Sequence, residues 1–210
     1  MKHNGFEYVD LGLPSGTRWA RCNVGANSET DYGLYFAFGE TNGYNRFTNG
    51  DRTFDRRNYK FSNKSFIYNF TKYNNTDGKK VLDLCDDAAY IHMGGKWHIP
   101  TNEQFKELLD EKNTVSTWLH DYCDSGVSGR LFRSRINNET LFIPANGFIS
   151  GHASYQNGIT CSLWTSSLDF SSVYNCTDFI GNKFNAYIST TCAYHICMGI
   201  RGVFNTFWIK

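Results

Sequence analysis

The stretch Trp97-His98-Ile99-Pro100-Thr101-Asn102-Glu103-Gln104-Phe105-Lys106-Glu107-Leu108-Leu109 decides how this chain is read. Thr101 follows a proline, and Gln104 stands at the N3 position of the segment it would cap. That is the spacing of a capping box, in which the hydroxyl accepts the N3 backbone N–H and the N3 side chain reaches back to the cap. A helix is therefore expected over residues 102 to about 112, burying Phe105, Leu108 and Leu109. Upstream, residues 81 to 92 put Leu84, Ala88 and Ile91 at helical spacing before Gly94-Gly95, which predicts a first helix ending there.

Strand patterns flank these helices. Residues 6 to 11 and 17 to 24 alternate on either side of a turn at Leu13-Pro14-Ser15-Gly16, a hairpin pattern. Residues 131 to 136 and 139 to 144 repeat it around Asn137-Asn138. Between the first hairpin and the helices, residues 32 to 40 are too apolar for a surface. Residues 41 to 80 are Asn-rich with scattered aromatics and read as a surface insertion anchored by those rings, with a short strand at residues 66 to 70. A last strand is expected over residues 159 to 164. Trp19, Trp97 and Trp164 lie in apolar strands and are expected in the core. Arg201, among apolar neighbours, is expected to pair with a buried carboxylate or with backbone carbonyls.

The chain's 210 residues suit a single domain able to bury a core without metal or disulfide. A net charge of +1 gives no general attraction to nucleic acid or anionic membrane. No apolar run approaches the length of a membrane helix. The opening residues lack a basic flank followed by an apolar run, so the expectation is a protein without a secretory signal, made in the cytoplasm and displayed on a phage virion or a cell surface. The seven cysteines form no CxxC pair, which argues against a zinc ribbon or a thioredoxin motif.

Residues 168 to 197 fit neither a helix nor a simple hairpin. Aromatic, hydroxyl and amide side chains alternate there without period, a composition that makes poor core and good binding surface. Apart from Lys183, every residue of this window can be reached from an AAC or AAT asparagine codon by changing only its adenines. Chance in an uncharged surface region explains this, and so does adenine-directed mutagenesis.

The segment from Tyr8-Val9-Asp10-Leu11-Gly12-Leu13-Pro14 to Gly33-Leu34-Tyr35-Phe36-Ala37-Phe38-Gly39-Glu40, with Trp97-His98-Ile99-Pro100-Thr101, Leu141-Phe142-Ile143-Pro144-Ala145-Asn146-Gly147 and Trp164-Thr165-Ser166-Ser167, resembles the Fibrobacter major paralogous domain. That group and the related formylglycine-generating-enzyme-like branch imply an α+β C-type lectin fold, two helices packed on antiparallel sheets with long irregular loops. The resemblance further implies a variable protein of a diversity-generating retroelement, with Gly199-Ile200-Arg201-Gly202-Val203 closing a variable region at about 164–203. The expected organisation is thus one C-type-lectin-like domain over residues 1–210.

On this reading the function is binding of a protein or glycan receptor, without catalysis, cofactor or metal. The candidate surface is Leu168, Asp169, Phe170, Ser171, Tyr174, Asn175, Thr177, Tyr187, Thr191, Tyr194 and His195. Three alternatives compete. Calcium-dependent sugar binding lacks the EPN or QPD motif and the Trp-Asn-Asp triad. A copper oxidase of the formylglycine-generating type would use Cys192 and Cys197, since thiolates favour copper(I). A structural subunit of a surface appendage would use the same surface for a fixed contact. His92 and His98, near Cys85, are more simply helix-end residues facing carbonyls than metal ligands.

Overall fold

Apolar alternation sets the first layer of the structure. In this computed structural model, which describes residues 1–45, 54–63, 70–171, 175–190 and 193–205, β1 (Lys2–His3) turns into β2 (Phe6–Val9). β2 then pairs antiparallel with β3 (Thr17–Ala20), with Tyr8 opposite Ala20 and Val9 opposite Trp19. Val9 and Trp19 turn into the core, as the sequence predicts for this hairpin.

Asp87 divides the expected first helix. Its extended backbone (φ −95°, ψ 107°) leaves a 3-10 turn at Leu84–Asp86 and starts α1 at Ala88–Met93. The Asp87 carboxylate accepts the Tyr90 N–H at 2.9 Å and the Ile99 N–H at 2.8 Å, tying the helix start to the strand-like run after it. α2 (Asn102–Leu109) carries the predicted capping box: the Gln104 N–H donates to Thr101 Oγ1 at 3.3 Å and the Thr101 N–H to Gln104 Oε1 at 2.9 Å. It ends earlier than expected because side chains beyond it take up its last carbonyls. Asn113 Nδ2 donates to the Glu107 carbonyl at 2.8 Å, and the Thr114 hydroxyl to that of Leu108 at 2.6 Å.

Downstream, β4 (Thr114–Leu119), β5 (Gly129–Ser134) and β6 (Thr140–Pro144) form an antiparallel sheet in that order. Its second half is the predicted hairpin, with Phe132 opposite Leu141. A small ribbon follows, β7 (Phe148–Ser150) with β8 (Ala153–Tyr155). β9 (Cys161–Asp169), β10 (Asn175–Gly181) and β11 (Ala186–Ser189) make a three-stranded antiparallel sheet centred on β10. Finally β12 (Val203–Asn205) returns to β3 and sets Val203 opposite Trp19, which closes a sheet of order β1-β2-β3-β12. The class is α+β, with two α-helices and mostly antiparallel sheets.

The window over residues 168 to 197 is therefore more regular than its sequence suggests. The register of β10 against β9 shifts between Cys176 and Asp178, and Cys176, Thr177 and Asp178 are buried in succession. Such a bulge erases the period of two on which strand recognition relies.

Two clusters make the core. One gathers Phe36, Phe38, Trp97, Trp164 and Tyr194, and the described part of the 41–80 segment contributes Phe54, Tyr59, Phe61 and Tyr73 to it. The other lies between α2 and the sheets, where Trp19, Phe105, Phe132, Leu163 and Phe179 meet, with the Phe105 and Phe179 rings stacked at 4.9 Å. All three tryptophans named from the sequence are buried. The strand expected at residues 66 to 70 lies outside the described residues except for Phe70, which bridges Ser62.

Ion pairs fasten the 41–80 segment to the 3-10 turn. Lys60 Nζ donates to Asp86 at 2.7 Å, Lys72 Nζ bridges Asp86 and Asp83, and the Tyr73 hydroxyl donates to Asp86 at 2.6 Å. These contacts hold the Asp86 carboxyl below its ordinary value, against the opposing effect of burial.

Two further buried ionisable groups behave differently. Arg201 is fully buried and has no carboxylate partner among the described residues; it donates to Asn23 Oδ1 at 2.9 Å and to the carbonyls of Ala20 (3.1 Å), Arg21 and Phe142 (3.1 Å). The carbonyl half of the sequence expectation is thus the one realised. Asp178 accepts the Ser189 hydroxyl, and its Oδ1 has no partner. Burial pushes its carboxyl from 3.8 up to about 7, with the Ser189 hydroxyl partly opposing the rise.

Replacing Arg201 with Met strands several buried carbonyls at once, each worth about 1–3 kcal/mol. Urea denaturation is expected to show a loss of at least about 3 kcal/mol. For Asp178, the folded state keeps a proton that the unfolded chain releases near pH 3.8, so its contribution to stability falls as pH rises from there through about 7. Asp178→Asn is expected to flatten that part of the stability–pH curve and to raise the melting temperature at pH 8. Equal slopes for the two proteins would contradict this account of Asp178.

Candidate functional site

The sequence-chosen surface does not converge on one place. Asp169 pairs with Asn175 at one end of the β9–β10 ladder, while Cys161 pairs with Gly181 and Gly181 with Ala186 at the other. At about 3.3 Å per residue, the two turns stand roughly 25 Å apart.

At the first end, Leu168 is half-buried against the core, Asp169 is half-buried, Phe170 is 37% exposed and Ser171 is exposed. The Ser171 N–H donates to Asp169 Oδ1 at 2.9 Å, and with the Ser171 hydroxyl it holds the Asp169 carboxyl below its ordinary value. Tyr174 and Thr191 lie outside the described residues, and Asn175 is placed by its backbone, opposite Asp169. His195 is half-buried; burial lowers its pKa, Arg56 lowers it further, and Asp55 partly offsets both.

Two of the chosen residues are not surface. Thr177 is buried because its hydroxyl joins three segments: it lies 2.6 Å from Thr165 Oγ1, donates to Asn102 Oδ1 at 2.8 Å and reaches the Ser167 carbonyl at 3.0 Å. Tyr194 is 1% exposed. Its backbone carbonyl accepts the Phe38 N–H at 3.1 Å, and its ring packs 4.2 Å from Phe70 and 5.8 Å from Phe38 and from Tyr59. Cys197, one of the two thiols of the copper alternative, is also fully buried, and Cys192 lies outside the described residues.

The second end is where exposed apolar surface collects. A groove of about 650 Å³ opens between Trp118 and His120, the turn at residues 156–160, and the β10–β11 hairpin. Its hairpin wall is Ile180, Asn182, Lys183, Phe184 and Tyr187, and Gln156, Ile159 and Thr160 face it. Phe184 is 82% exposed, Ile159 62% and Tyr187 45%. Lys183 Nζ sits 4.8 Å over the Phe184 ring.

The hairpin tip owes its shape to Asn182. Its Oδ1 accepts the N–H groups of Phe184 (2.8 Å) and Asn185 (3.1 Å), and its N–H donates to the Asn185 carbonyl at 2.9 Å. The side chains of Lys183 and Phe184 take no part in these bonds. Contiguous exposed aromatic and aliphatic surface of this kind marks interaction sites. Of the described residues among those the sequence singles out, only Tyr187 lies in the groove. Phe184 was legible as an aromatic in an Asn-flanked turn, whereas Trp118 and Ile159 meet it only through the tertiary fold.

The metal candidates are committed elsewhere. His92 Nε2 lies 2.8 Å from the Thr41 carbonyl, and His98 Nδ1 lies 3.1 Å from that of Lys96. Asp83, Cys85 and Asp86 place their ligand atoms within 4.8 Å of one another, but both carboxylates are already ion-paired to lysines.

Stability measurements separate frame from groove. Tyr194→Ala is expected to cost about 3–5 kcal/mol in denaturant titration, as large aromatic truncations in a core do. Phe184→Ala and Tyr187→Ala are expected to stay within about 0.5 kcal/mol of the parent. No protein-family model, no curated protein and no solved structure matches the chain.

Proposed function

We propose that this chain is a recognition protein rather than an enzyme, and that it binds a receptor through the groove formed by Trp118, Ile159, Phe184 and Tyr187. The observation that carries this reading is the exposure of Phe184 and Tyr187, on a hairpin whose turn is held by Asn182 and not by those rings, together with that of Ile159 on the facing turn. Large amphipathic side chains on a fixed backbone supply contact area at low entropic cost.

We assign the frame to the C-type lectin fold. Supporting this are the antiparallel pairing of β3 with β12, which brings the ends of the described chain together, and the two helices between the first hairpin and the later sheets. The composition of residues 168 to 197 supports diversification by a retroelement. Because Thr177 and Tyr194 are structural and Asn182 holds its turn, the changeable positions under this proposal fall at the hairpin ends, residues 169–171 and 184–187. No helix among the described residues is long and apolar enough to cross a membrane.

Sequencing the locus tests diversification. The proposal expects a near-identical copy of the codons for about 164 to 203 beside a reverse-transcriptase gene, differing at adenines, with protein variants changed at the hairpin ends. The absence of such a copy, or variants changed chiefly at Thr177 and Tyr194, would contradict it.

A further inference from the structure

Arg130 is a buried cation with no ion-pair partner among the described residues. It is 6% exposed, its Nε and Nη1 have no hydrogen-bond partner, and no described carboxylate forms an ion pair with it. Leaving guanidinium N–H groups dry and unpaired is costly, since each forgoes the water it would otherwise bind. Such groups are few in natural structures, and a bound ion or ligand is one of the ways they are completed.

It does not itself line the groove but lies next to residues that do. In the β4–β5 ladder Arg130 stands directly opposite Trp118, which lines the groove. Its Cδ lies 3.1 Å from where a Cβ on Gly181 would be, and Gly181 falls between Ile180 and Asn182, both groove residues. It also neighbours the Cys161 thiol, next in sequence to the groove residue Thr160. The groove lining contains Lys183 and His120 but no Asp or Glu. Among the described residues, then, a cation without a counter-ion sits beside an aromatic and aliphatic groove that has no carboxylate in its lining.

We propose that this groove receives a segment of a partner protein that sets a side-chain or C-terminal carboxylate on the Arg130 guanidinium and an apolar side chain against Phe184 and Ile159. The inference rests on the recognition reading above and names the chemistry of its ligand. A protein segment is favoured over an acidic sugar because Ile159, Ile180 and Phe184 offer aliphatic and aromatic contact, the composition of protein–protein hot spots. Carboxylate on guanidinium is the strong, bidentate form of hydrogen bond, and Gly181, having no side chain, lets the hairpin lie close against the Arg130 Cδ.

The test pans a displayed library of short random peptides on the intact protein and on Arg130→Met. Enriched peptides are expected to carry Asp, Glu or a free C-terminus beside an aromatic or aliphatic residue. Changing that carboxylate to its amide is expected to weaken binding about tenfold or more on the parent protein and to have no effect on Arg130→Met. Arg130→Met is expected to melt at the same temperature or higher; if it does not fold, Arg130→Lys, which keeps the charge but loses the fork, is expected to bind more weakly than the parent. No enrichment of acids, or an amide effect equal in both proteins, overturns the carboxylate proposal. Acidic peptides that bind Phe184→Ala and Tyr187→Ala as well as the parent overturn the groove itself. Arg130-dependent binding of uronic-acid or sialylated glycans, with no peptide enriched, overturns the choice of partner.

Discussion

The Arg201 guanidinium is the point on which the molecule's arrangement turns. It is buried, and the oxygens that satisfy it come from residues 20 to 23 and from Phe142, so the approach to β12, the exit of β3 and the middle of β6 must meet around one planar group. No described carboxylate pairs with it, and the nearby Glu29 offsets only part of the effect of burial. Burial accordingly lowers the Arg201 pKa to about 10, still far above neutrality, so the charge persists and the carbonyls must stay aimed at it. Each of these carbonyls belongs to a segment that carries core residues, among them Trp19 and Phe142, and Arg201's own segment carries Val203. Displacing one segment would unpair the others as well as open the core.

Around this junction the structure separates what holds from what can change. Lys60 and Lys72 fasten the Asn-rich segment to Asp86, and the rings of Tyr59, Phe61 and Tyr73 enter the same cluster as Tyr194. Hydroxyls do comparable work at Thr177, where β9, β10 and the start of α2 are joined. The β10–β11 tip lies beyond all of these contacts. Its turn is closed by Asn182 alone, which leaves Phe184 and Lys183 outside the network that keeps the fold together.

Much of the frame was legible in the sequence because its signals are local. The Thr101–Gln104 capping box, the two hairpins and the burial of Trp19, Trp97 and Trp164 follow from spacing within a few residues. Asp87 was missed as a break because a carboxylate that caps one helix can also stand inside a longer helical pattern. The 168 to 197 window misled for two reasons. A register shift hid its strands, and Tyr, Thr and Cys serve a buried hydrogen-bonded interior as readily as a binding surface. The groove depends on Trp118, Ile159 and the hairpin, and Arg130 is marked only by the absence of partners in three dimensions. No spacing along the chain encodes that.

The central claim is that the frame stands without the groove. A saturation-substitution library displayed on cells and sorted for folded protein, with a reporter that senses folding and not binding, tests it most directly. The account predicts broad tolerance at Ile159, Lys183, Phe184 and Tyr187, polar and charged residues included, and near-complete intolerance at Arg201, Thr177 and Tyr194. Loss of folded protein on substitution at Phe184 and Tyr187, comparable to that at Tyr194, would contradict it.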